Sequence, residues 1–204
     1  MEDHLPKSYL IEEINRLNGF FTLYAVPWAL IGLINIEVKS RQLTGFLFAF
    51  AFIVNLLLFI YFSGQLGSSK TESYSVPELM QIKQVSRSLN RFYLGLGLAS
   101  AVALILFIFI LHHPVFLTPL FLIITGILFV IHRWYLRIQG ERWIAPVLFL
   151  MALILLILGN QYINWYSWGG FSGATIIWYA CLDRQMLVHI WLQEQAHPVL
   201  PPQE

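Results

Sequence analysis

Apolar residues in this chain gather into six long runs, and none of them alternates polar with apolar as a barrel strand does. The runs are residues 20–36 (FFTLYAVPWALIGLINI), 44–63 (TGFLFAFAFIVNLLLFIYFS), 92–111 (FYLGLGLASAVALILFIFIL), 115–131 (VFLTPLFLIITGILFVI), 143–159 (WIAPVLFLMALILLILG) and 165–182 (WYSWGGFSGATIIWYACL). Each is 17 to 20 residues long, close to the ~20 that a helix needs to cross a bilayer and about twice the length of a spanning barrel strand. The pattern predicts an all-α polytopic membrane protein, six transmembrane helices in one compact bundle. In lipid a helix satisfies its own backbone N–H and C=O groups, which irregular chain cannot do.

Between the runs, residues 8–19 (SYLIEEINRLNG) and 77–91 (PELMQIKQVSRSLNR) are compatible with helix and lead straight into the first and third spans. Pro6 and Pro77 sit where a helix start tolerates proline. Both segments are expected to extend their helices a few turns out of the bilayer. Residues 64–76 read as a linker, 183–204 as a tail and its end, HPVLPPQE, as extended chain. The whole chain, 1–204, reads as one membrane domain. A parallel repeat is also suggested: RLNGFF (16–21) matches SLNRFY (88–93), and QLTGFLF (42–48) matches FLTPLFL (116–122), at offsets of 72 and 74.

Composition agrees with lipid as the solvent. Of the 204 residues 58% are hydrophobic and only 11% charged, against roughly 25% charged in soluble domains, so a soluble fold would lack a polar shell. The net charge of +1 gives no reason to expect nucleic acid. The distribution of charge says more. Of the twelve Lys and Arg, all but Lys39 and Arg41 fall on one side if the chain starts in the cytoplasm. By the positive-inside rule both termini are then cytoplasmic. The acidic start, MEDHLPKSYLIEEINRLNG, is not expected to be a cleavable signal peptide, and the expected location is the plasma membrane of a bacterium. A single cysteine, Cys181, rules out an internal disulfide and a cysteine-based metal cluster.

The stretch WYSWGGFSGATIIWYACL raises the one enzymatic possibility. Gly170, Ser172 and Gly173 resemble the nucleophile motif of rhomboid intramembrane proteases, over four residues. The resemblance implies a serine nucleophile with a histidine base on a later membrane helix, and no span follows residue 182 here. A serine without a base is inert at its own pKa. The same residues read more simply as a packing strip. Gly169 and Gly173 form a GxxxG pair with Ala180 on the same face, and Gly95, Gly97 and Ala101 crowd the first half of the third span. Small residues let helices approach closely in lipid, so these two strips are expected to meet.

Three further groups of residues stand out. Asn55 is the most polar mid-span residue, and Thr125 lies at a comparable depth; an interhelical hydrogen bond or a pore lining fits both. None of the six runs contains Asp, Glu, Lys or Arg, which argues against ion-coupled transport. On the outer side His112, His113, Asn160, Asn164, Trp165 and Trp168 form either an aromatic belt or a site for a small molecule or headgroup. On the inner side Lys83, Arg87 and Arg91 recur every four residues, a basic stripe suited to anionic headgroups or an acidic partner. Glu12 and Glu13 are the acidic counterparts in the first extension and are expected to pair with it.

No cofactor and no metal are expected, because adjacent histidines with one nearby carboxylate make a poor ligand set. The first expectation for function is a non-enzymatic membrane subunit or scaffold acting through helix packing, lipid contact and a protein partner or a second copy of itself. The alternative is a small channel or carrier for an uncharged or weakly polar solute. An intramembrane serine hydrolase using Ser172 comes third.

Overall fold

The structure, a computed structural model, describes residues 5–35, 41–65, 74–111, 113–136, 142–158 and 164–196. It is all-helical, with six α-helices: α1 (Lys7–Asn35), α2 (Arg41–Gln65), α3 (Val76–Ile105), α4 (Leu117–Leu136), α5 (Ile144–Leu158) and α6 (Asn164–Ala196). Four are long and apolar enough to cross a membrane: α1, α2, α3 with its continuation, and α4. The 15 residues of α5 reach only about 22 Å at 1.5 Å per residue, short of a ~30 Å hydrocarbon core. α6 has 33 residues, but Gly, Ser, Trp and Tyr make its run 165–182 only weakly apolar, and Asp183, Arg184 and Gln185 follow directly.

Local chemistry explains where the helices begin and bend. α3 starts from a capping box in which the Glu78 carboxylate accepts the Ser75 N–H at 2.8 Å and the Ser75 hydroxyl at 2.6 Å, with Pro77 in the first turn. It ends in a π-helical turn, Leu106–Ile110, where Leu111 N–H reaches back to the Leu106 carbonyl at 2.9 Å. A short 3₁₀ turn, Pro114–Phe116, then leads into α4. α1 carries Pro27 in its interior and runs on without a break, as helices in lipid allow. The extensions 8–19 and 77–91 are therefore parts of continuous helices, and residues 183–196, read from the sequence as tail, continue α6. The linker is helical as far as Gln65, and its residues 66–73 lie outside the described residues, as does the end 197–204.

The most extensive interface joins the first helix to the last. Asn18 donates its side-chain N–H to the Cys181 carbonyl at 3.2 Å, and near the other end Gly32 meets Ser167 and Phe171. These two points fix an antiparallel register along most of both helices. A Cβ on Gly32 would come within 2.6 Å of the Phe171 Cβ and 2.9 Å of the Ser167 oxygen, so only glycine permits this approach. α4 lies against α5, with Gly126 under the Phe149 ring. α3 leans chiefly on α2 and meets α4 at a few places, among them Tyr93–His132 and Phe92–Tyr135.

Aromatic side chains fill the interior. Trp28 stacks on Phe121 with centroids 4.3 Å apart, Phe21 stacks on Phe129 at 4.9 Å, and Phe20 touches Phe59, Phe62 and Tyr93. The exterior is equally apolar: Phe46, Tyr61, Leu98, Phe109 and Ile157 each expose most of their surface. In water such a surface would aggregate; in lipid it is the solvated face.

Candidate functional site

Among the described residues two groups of buried polar side chains make contacts between helices, one at mid-depth and one near the end that carries Arg91 and Arg133. The mid-depth group forms around Asn55. In the amide orientation that satisfies both of its ends, the Asn55 oxygen accepts from Trp28 Nε1 at 2.6 Å and its NH2 donates to the Tyr24 carbonyl at 3.0 Å. Thr125 donates to the Phe121 carbonyl of its own helix at 2.7 Å. The two predicted residues do not bond to each other. Both lie instead near the Tyr24 hydroxyl. Asn55, Thr125, Tyr24 and Trp28 are all buried, and the rings of Trp28, Phe121 and Phe59 close around them.

The second group was not anticipated. Tyr93 and His132 join α3 to α4 through a 2.7 Å hydrogen bond between the phenol and Nε2. The His132 ring stands edge-on to Phe21. The guanidinium of Arg184 lies 4.9 Å from the Phe129 centroid and 5.3 Å from that of Phe21, within the range of a cation–π interaction. Toward the start of α1, Glu13 is almost wholly buried and pairs with Arg16 at 3.4 Å, and Tyr9 hydrogen-bonds with Ser86 of α3 at 3.2 Å. The six apolar runs hold no Asp, Glu, Lys or Arg, but the interior between the helices does hold ionisable side chains. Glu13, His132 and Arg184 all lie outside the apolar runs, yet the helices are longer than the runs and bury them.

Helical spacing could have found these residues. His132 follows buried Thr125, Leu128 and Phe129 at seven, four and three positions, and Arg184 follows buried Ile177, Ala180 and Cys181 in the same way. Arg184 is thus both a charge on the basic side and a member of the buried face.

The basic stripe is where the spacing puts it: Lys83, Arg87 and Arg91 are all exposed on α3. It does not pair with the acidic residues of α1. Glu12 and Glu13 both turn to Arg16 of their own helix, each at 3.4 Å, because three- and four-residue spacing already supplies a partner.

The small residues of α6 have other partners than those expected. Gly169 is pressed against Leu155 of α5, Gly173 against Leu122 and Phe121 of α4, and Gly170 faces Trp28 of α1. Ala180 is fully buried. On α3 a Cβ at Gly95 or Gly97 would meet nothing within 4 Å, and Ala101 is half-buried. The two small-residue strips do not meet, since α4 and α5 already occupy the face of α6 that α3 would need. Ser172 is half-buried, and among the described residues no hydrogen bond joins it to a histidine: His132 bonds with Tyr93 and His189 with Gln193.

Of the residues expected at the opposite end, His112 and Asn160 lie outside the described residues, and Asn164 opens α6. His113 is exposed beside Phe116, and Trp165 and Trp168 point outward. Thr44, Thr118, Tyr166 and Ser167 are among the polar side chains buried toward that end. Among the described residues no three of His, Cys, Asp and Glu gather as a metal site would require. No protein-family model matches the chain, and no curated protein or solved structure gives a significant match.

Proposed function

We propose that this chain is a non-enzymatic integral membrane subunit or scaffold, which acts through helix packing, lipid contact and a partner protein or second copy. The observation that carries this reading is the closure of the mid-depth polar group. Asn55 spends both ends of its amide on α1, and aromatic rings seal the rest. A side chain used in this way ties two helices together and offers nothing to a passing solute. In the proposed arrangement α5 and α6 complete six spans, the chain begins and ends in the cytoplasm, and the membrane is a bacterial plasma membrane. Reporter fusions after residues 75, 138 and 200 should read cytoplasmic, and fusions near 40, 113 and 163 external. A cytoplasmic signal at 163 would overturn the six-span arrangement.

The second reading, a small channel or carrier, draws on the other polar group. Buried ionisable residues in a membrane protein are costly and commonly mark a pathway, and Glu13, His132 and Arg184 occupy the interior of α1, α4 and α6. Flux in proteoliposomes separates the two. The subunit reading expects permeability to protons, water and small polyols equal to that of empty vesicles. Flux that Asn55→Leu or His132→Ala abolishes would establish the carrier.

A further inference from the structure

Lys83, Arg87 and Arg91 follow one another at four-residue spacing, and the next position in that series is Gly95. The line of cations therefore runs into a place with no side chain. Here α3 and α4 leave a groove of about 360 Å³, lined by Arg91, Phe92, Gly95, Leu96 and Ile127. A Cβ on Gly95 would meet nothing within 4 Å, so no neighbouring helix fills the floor. The contacts of Tyr93 with His132 and of Phe92 with Tyr135 place Arg91 beside the last turn of α4. Trp134 and Arg133 are exposed at that level, as expected where hydrocarbon gives way to headgroups. Among the described residues no carboxylate pairs with Arg91.

We propose that this groove binds one anionic phospholipid, with its phosphate on Arg91 and Arg87 and an acyl chain lying over Gly95 between Leu96 and Ile127. The site has two unlike ends, and this ligand matches both. A guanidinium takes phosphate oxygens through paired N–H donors. The apolar trough beyond it takes hydrocarbon. A free phosphate would leave the trough unused, and an apolar partner helix would leave the guanidinium without a counter-charge. The proposal deepens the lipid-contact part of the function above and rests on the chain residing in a membrane.

The test moves full-length protein from bilayers of phosphatidylglycerol and phosphatidylcholine into detergent and reads retained lipid by native mass spectrometry. Wild type should retain phosphatidylglycerol in preference to phosphatidylcholine, and Arg91→Gln should lower that preference about five-fold, the effect of roughly 1 kcal/mol per basic residue. A Cβ at Gly95 has open space around it, so Gly95→Leu, which fills the trough, should keep the helical signal and elution volume of wild type while losing the lipid. Equal retention of both lipids by wild type overturns the proposal, as does unchanged retention in Gly95→Leu. If Gly95→Leu fails to fold, Arg91→Gln decides alone. Displacement of the lipid by millimolar inorganic phosphate would make the site one for a soluble anion. A wild-type dimer that Gly95→Leu converts to monomer would make it a self-interface, and either result overturns the lipid assignment. Alkaline carbonate extraction separates the two levels of failure: a chain released from membranes loses the membrane reading, whereas a chain retained without lipid preference loses only this site.

Discussion

α1 and α3 are both long helices with an apolar half, yet the protein uses them in opposite ways. Of its most apolar stretch α1 buries 56% and α3 only 17%, although the α3 stretch is the more apolar of the two. In water the order would be reversed. In lipid hydrocarbon surrounds the helix in either case, so apolarity gives no reason to leave the surface. What draws α1 inward is the fit of its surface to α6: Gly32 under Phe171, Trp28 against Gly170, and Asn18 bonded to the Cys181 carbonyl. α3 has glycines too, but they face open space. A glycine promotes close packing only where another helix comes to meet it.

The largest expected effect sets Gly32 against Gly95. Gly32→Leu forces a branched side chain into a backbone contact with α6, where overpacking costs about 1–3 kcal/mol and occasionally more. Most folded protein should be lost from size-exclusion chromatography in mild detergent. Gly95→Leu should elute like wild type. Equal behaviour of the two variants would break the comparison at its root. Gly173→Leu is expected to side with Gly32→Leu, since Leu122 already occupies the space.

Next in size is Asn55→Leu. It leaves Trp28 Nε1 buried without its acceptor, a penalty of about 1–3 kcal/mol, and should lower the thermal midpoint in detergent without changing helix content. Tyr93→Phe is a smaller cut. It removes the hydroxyl that ties α3 to His132, and hydrogen bonds between helices in lipid average about 0.6 kcal/mol. Its signature should be local: faster amide hydrogen exchange at the basic end of α3, with α1 and α6 unchanged. If exchange in α1 rises instead, the tie belongs to the core and α3 is less separate than its surface indicates.

How much of this was legible in the sequence differs by feature. Helix class and the four long apolar helices follow from run length, because lipid permits so few backbone solutions. The basic stripe followed from four-residue spacing alone. Partner choice did not follow. Gly169 and Gly173 announce a close approach, but nothing in those residues says whether Leu155 and Leu122 or the glycines of α3 will fill it. The interior group at Tyr93, His132 and Arg184 was missed for a different reason. The runs of α4 and α6 end at His132 and Asp183, although helical periodicity carries the buried face past them, and Tyr93, inside its run, gains its role only from His132. The Ser75–Glu78 capping box is written in the sequence as S-x-x-E, a helix start that stands beside the signal from Pro77.

The smallest effect is expected at Ser172, and it sharpens the account of α6. Its neighbours Gly170 and Gly173 hold α6 against α1 and α4, so the hydroxyl between them is either incidental to that contact or the reason for it. A nucleophilic serine needs a base within hydrogen-bond reach. Of the described histidines, His132 is engaged with Tyr93 at the far end of α4, His189 bonds with Gln193 beyond the apolar part of α6, and His113 sits beside Phe116. Alanine has the better helix propensity and removes only one half-buried oxygen. Ser172→Ala should therefore change stability by less than about 0.5 kcal/mol, and a fluorophosphonate probe should label wild type no more than the variant. Labelling of wild type alone would make Ser172 a reactive serine and turn the glycines beside it from packing residues into the walls of an active site.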